Sequence, residues 1–248
     1  GGGGSIVMRT VAGSLVLNAG SAPDDANDTS VSANGGGNVL LEALGALTDV
    51  TANADVNSGT GHVTILAAQS VVFSANADVT TGGAGTIDLE AGTGSISLSA
   101  TSHQTTGAGD IRLLAAVDIT LGGVGTTTGS FSATATGGTI YDGDGDGSVD
   151  IAATGLRLWA GTGIGQLGVS VNPVETTVTT VSARAAGGGI SLRETNELVV
   201  DDTGATIQRV RVDADVTATT DATQSDARTT GGGGSIVMRT VAGSLVLN

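Results

Sequence analysis

The chain contains no cysteine and no lysine among its 248 residues. The missing cysteine excludes a disulfide framework, a thiolate metal site and a thiol nucleophile. The missing lysine excludes a Walker phosphate loop, which needs one to reach the β- and γ-phosphates; all nine basic residues are arginine. Proline occurs twice and aromatic residues four times, as Phe73, Phe131, Tyr141 and Trp159. So few aromatics offer little platform for stacked bases or sugars. The two histidines, His62 and His103, have no metal-ligand spacing and read as surface or turn residues. No run approaches the roughly 18 apolar residues of a membrane span. A net charge of −15 and a pI near 4.1 argue against nucleic acid and anionic membrane surfaces as partners, and make cations the natural ones.

What is present is 42 glycines and a hydrophobic fraction of 39%, resting on Val, Ile, Leu and Ala. These are plentiful and patterned, which argues against disorder, and glycine shows no collagen period. The first eighteen residues, GGGGSIVMRTVAGSLVLN, return letter for letter at 231–248. GGGGS alone would pass for a laboratory linker, but IVMRTVAGSLVLN is apolar and strand-like. Self-similarity at a fixed period signals a repeat architecture, so residues 1–230 read as one complete unit and 231–248 as the start of the next identical one.

A shorter rhythm lies inside the unit. A glycine-rich turn followed by a strand recurs at Ile6, Val39, Val63, Ile87, Ile111, Ile140 and Ile190, and begins again at Ile236. Alternation within each segment is that of a strand with one buried face: in TIDLEAGTGSISLSA, Ile87 and Leu89 point inward while Asp88 and Glu90 point to water. Paired strands and a third short segment, ANADV at 52–56 and 75–79, give three strands per coil and no helical period. The fold expected is all-β: a right-handed parallel β-helix of about nine coils of roughly 24 residues, rising on the order of 45 Å per unit at the strand spacing. On this reading the duplicated stretch is the same rung of a fibre met twice.

The GxIxL…IxL coils, such as GTIDLEAGTGSISLSA, and the segment GLRLWAGTGIGQLGVSVNPVETTVTTVSARAAGGGISL resemble the filamentous haemagglutinin-like β-helices of giant bacterial surface and secreted proteins. The resemblance spans essentially the whole chain and implies a long, exported, repetitive rod used for adhesion or surface structure. The amino-terminal secretion module of that family is not among these residues.

The strongest chemical motif is YDGDGDGSVD at 141–150. Asp142, Asp144, Asp146, Ser148 and Asp150 match the first nine positions of a calcium loop, where oxygens surround a hard cation. The twelfth position, which should carry a bidentate glutamate, is Ala153, so the cage is partial unless a neighbouring coil completes it; the alternative is a solvated acidic turn. Asp55 and Asp78 should stack one coil apart, splaying into water or sharing a cation, and Asn53 and Asn76 should form an amide ladder. GIGQLG at 163–168 fits a dinucleotide fingerprint in letters only, because no helix follows it. Acids are abundant, but none is singled out for hydrolysis. Trp159 and Phe131 read as fillers of coil corners. The stretches 19–30 and 212–230 interrupt the rhythm and read as loops projecting from the rod, the places to expect partner contacts; the first includes a glycosylation sequon at Asn27.

These observations point to a non-enzymatic structural segment of an extracellular filament or cell-surface adhesin, stiffened by calcium. It would associate with itself and insert in no membrane. A module binding cell-surface glycans is the alternative, and a polysaccharide-cleaving enzyme ranks below both.

Overall fold

The computed structural model describes residues 3–20 and 28–248. No helix occurs among them. Of the 27 strands, 25 form one continuous sheet and the remaining two pair antiparallel as a hairpin. Every strand pair of the large sheet is parallel, and the chain winds as a parallel β-helix with one short strand on each of three faces per turn.

The first stack runs from Ile6 through Val39, Val63, Ile87, Ile111, Phe131, Leu156 and Val181 to Val200. The second runs from Leu15 through Val50, Val71, Ile96, Ile119, Ile140, Ile164 and Ile190 to Ile236. The third runs from Val31 through Val56, Val79, Gln104, Val124, Ile151 and Thr176 to Glu194. The inward residues form a single core whose largest fully buried side chains include Phe131, Ile87 and Leu113. Phe131 therefore fills the core. Trp159 instead points outward and is half-buried, with the Arg184 guanidinium 5.4 Å from its ring centroid.

Corners are held by a recurring contact. The residue just before a strand, or its first residue, accepts the backbone N–H of its counterpart one turn on. Asn38 does so for His62, Asp49 for Ser70, Asp55 for Asp78, Asp78 for His103, Asp110 for Ser130, Asp118 for Thr139 and Asp150 for Glu175, at 2.7–2.9 Å. The Asp55–Asp78 pair therefore neither splays nor needs a cation, because the lower carboxylate accepts the upper residue's amide. The amide ladder runs from Asn53 down to Asn18, at 2.9 Å, rather than up to Asn76.

The rhythm of glycine-marked strands departs from the observed stacks at one point. Ile140 and Ile190 do not continue the column of Ile111; they lie in the second stack. Phe131 takes the first-stack place, because SFSATA supplies inward apolar residues at 131, 133 and 135. The duplicated stretch is shifted accordingly. Ile6 starts the first stack, whereas Ile236 caps the second; Leu15 starts the second, whereas its copy Leu245 lies over Leu198 in the first. From Ile6 to Ile236 the chain makes eight turns and one further face.

The region 212–230 is not a projecting loop. Thr203–Val210 and Val216–Gln224 form the antiparallel hairpin, which lies along the first stack as a strap, and Ala227–Thr229 returns to pair with Ala183–Ala185. Beneath the strap runs a column of outward first-stack residues, Leu40, Thr64, Asp88, Arg112, Ser132, Arg157 and Ser182, all buried. Asp88, expected in water, is fully enclosed and paired with Arg112 at 2.9 Å and Arg209 at 2.7 Å. Arg112 also reaches Asp221 of the strap at 3.0 Å. Burial opposes its charge, but Asp88 and Asp221 outweigh it and hold the guanidinium above its ordinary pKa. Strap amides bond down onto the rungs: Val210 to Thr64, Gln208 to Thr86 and Thr206 to Asp110, at 2.7–2.9 Å.

Candidate metal centre

Tyr141–Asp150 connects the second-stack strand Ile140–Asp142 to the strand beginning at Ile151. The loop is built from successive side-chain-to-backbone turns. Asp142 accepts the amides of Asp144 and Gly145, Asp144 accepts that of Asp146, and Asp146 accepts that of Ser148. Gly145 and Gly147 have φ of 68° and 79°, the left-handed region that glycine enters without steric cost.

The five residues singled out from sequence divide into two groups. Asp144, Asp146 and Ser148 are exposed on the loop. Asp142 and Asp150 turn inward and are joined by Glu175, which sits one turn further on at the start of the next third-face strand. One carboxylate oxygen from each of these three lies within 4.8 Å of the others, and the residues are only 7%, 5% and 4% exposed. The Ala153 position plays no part; the acid that the loop lacks in sequence comes from the neighbouring coil. Spacing along the chain gave no sign of Glu175. Only register places it: Asp150 donates its N–H to the Glu175 carbonyl at 3.0 Å and accepts the Glu175 N–H at 2.9 Å.

Electrostatics at this point are unfavourable for three free carboxylates. Burial, then the charges of Asp142, Glu175 and Asp144, push the Asp150 carboxyl up to about 8, against the backbone hydrogen bond that lowers it. Burial and Asp142 raise Glu175 to about 7, with Arg193 pulling the other way. Arg193 lies 3.7 Å from Glu175 Oε1 and donates to the Gly147 carbonyl at 2.9 Å. Glu175 Oε2 is buried with no hydrogen-bond donor. Asp146, fully exposed, is instead held below the usual carboxylate range by the Ser148 amide. A surface cavity of about 380 Å3, lined in part by His103, Asp144, Asp146 and Asp150, opens beside the cluster.

His62 and His103 lie apart on different faces. His62 shares a hydrogen bond with Thr86 at 3.0 Å, and burial lowers its pKa; His103 places Nδ1 3.6 Å from Asp78 Oδ1. Gly163–Ile164 is a two-residue strand and Gln166 bridges Asn172, so the glycine motif there opens no helix. The Asn27 sequon and most of the 19–30 stretch lie outside the described residues. Comparison with protein-family models, curated proteins and solved structures returns no match.

Proposed function

We propose that the chain is a segment of an extracellular filament or giant cell-surface adhesin, built from tandem copies of a 230-residue β-solenoid unit and non-enzymatic in its role. The observation that carries this reading is how the two copies of the eighteen-residue stretch bond to the rod. The first copy pairs through Ile6–Thr10 with the turn that follows it, and the second pairs through Ile236–Thr240 with the turn that precedes it. The same eighteen residues thus form rungs of the solenoid in both places, as a repeated unit of this fold requires. The GxIxL coils add their resemblance to haemagglutinin-like rods, from which export to the cell surface in a bacterium follows as part of the proposal.

The mass of the native polypeptide after complete denaturation tests it. Hundreds of kilodaltons, in steps of one unit, are expected. A mass near the 23.8 kDa of these residues would reject covalent tandem growth. A discrete module, to be probed on a glycan array, would then be the better account.

A further inference from the structure

We propose that Asp142, Asp150 and Glu175 form a site for one divalent cation of the calcium class, held between two successive turns of the rod. Calcium–oxygen bonds of about 2.3–2.6 Å allow two ligands of one ion to stand up to roughly 5 Å apart; the three oxygens here meet that limit, within 4.8 Å of one another. Magnesium, at about 2.0–2.1 Å and strictly octahedral, is the poorer match. Charge points the same way. Three carboxylates set against the Arg193 guanidinium leave two negative charges, which a divalent ion neutralises.

Independent of charge, Glu175 Oε2 is a buried acceptor with no donor, a group that ordinarily finds a partner. A cation supplies one. The other two ligands are already oriented, Asp142 by the amides of Asp144 and Gly145 and Asp150 by that of Glu175, and each oxygen keeps a lone pair for the ion. The adjoining cavity at Asp150 gives a hydrated ion its way in, and water completes the six to eight oxygens calcium takes. Asp142 and Asp150 belong to one turn and Glu175 to the next, so the ion clips adjacent rungs together. The exposed loop acids Asp144 and Asp146 are not ligands.

Calcium chloride titrated into the chelator-treated chain, followed by calorimetry, tests this site separately from the filament reading, which depends on polypeptide mass. One equivalent should bind with a dissociation constant on the order of 10⁻⁴–10⁻³ M, as in extracellular calcium modules. Glu175→Gln and Asp150→Asn should each weaken binding about tenfold or more, and Asp146→Asn should leave it within about twofold. Circular dichroism of each variant separates lost binding from lost folding, and either ligand variant suffices if the other does not fold. Two results would overturn the proposal. One is no heat of binding at ~10 mM calcium. The other is binding that survives Glu175→Gln but disappears in Asp146→Asn, which would put the ion on the exposed loop.

Discussion

Glycine at the corner before the first-stack strands of Val39, Val63, Ile87, Ile111 and Phe131 is fixed by the backbone of its neighbour. A Cβ on Gly61 would meet the carbonyl oxygen of Gly37, one on Gly85 that of Gly61, and one on Gly109 that of Gly85. The turns approach so closely there that any side chain must push two rungs apart. Gly85→Ala should therefore cost about 1–3 kcal/mol, the range of overpacking. Gly36→Ala, where the nearest atom is Thr60 Oγ1 at 3.9 Å, should stay within about 0.5 kcal/mol; urea unfolding of the two variants measures the contrast. The carboxylates are equally individual. Aspartates at the corners accept a backbone amide, but burial first, then neighbouring carboxylates, hold Asp150 and Glu175 near 8 and 7. Their folded pKa values lie above the unfolded ones, so between about pH 4 and 8 the folded state binds more protons, and stability falls as pH rises through that window. Urea midpoints of the chain in chelator should accordingly drop between pH 5 and pH 8.5, and saturating calcium should flatten the slope.

At the scale of elements, the strap is the part that alternation along a strand misreports. Positions such as Thr64, Asp88 and Arg112 occupy the outward face, and from sequence an outward charged residue is a solvated one. What buries them is Thr203–Val210, more than a hundred residues away from Asp88 in sequence, and no local signal connects the two. One hint was available: Arg209 and Arg211 stand in a stretch otherwise rich in acids and threonine. The strap holds by polar contacts and by Ile207 and Val210, both buried against the rod. Arg209 bridges Asp88 and Glu90. Arg209→Ala leaves the buried Asp88 with Arg112 alone, and removing one partner of a buried pair typically costs about 3–5 kcal/mol. Hydrogen exchange should register this as faster exchange at Thr206, Gln208 and Val210, with Leu89 and Leu113 in the rungs still protected, as for a local opening. Exchange accelerated equally in strap and rungs would mean that the two unfold as one unit.

For the whole molecule, the parallel β-helix was legible because its signals are periodic and local: inward Ile and Leu two residues apart, a glycine before them, and no helical period anywhere. Their phase was less legible. Phe131 and Ile140 both follow glycine-containing turns, and only the inter-strand register decides which of them continues the column of Ile111. Two of the three clustered carboxylates, Asp142 and Asp150, were visible in the YDGDGDGSVD run, whereas Glu175 was hidden because ladder register, not sequence spacing, sets its distance from Asp150.

The extra face gained between Ile6 and Ile236 has its own consequence for a tandem chain. Each unit would start a third of a revolution later than the one before, advancing about 40 Å at ~4.8 Å per rung. Straps and carboxylate clusters would then wind round the shaft like the thread of a screw and return to the same azimuth every third unit, roughly 120 Å along. A gold label on Asp213, at the exposed strap tip, in a tandem of four units should appear by electron microscopy on three successive sides and realign at the fourth. Labels in a single line would mean that the units join without that offset. A filament threaded in this way shows the same features in three directions around it, so two such rods can meet side by side in three equivalent rotational settings.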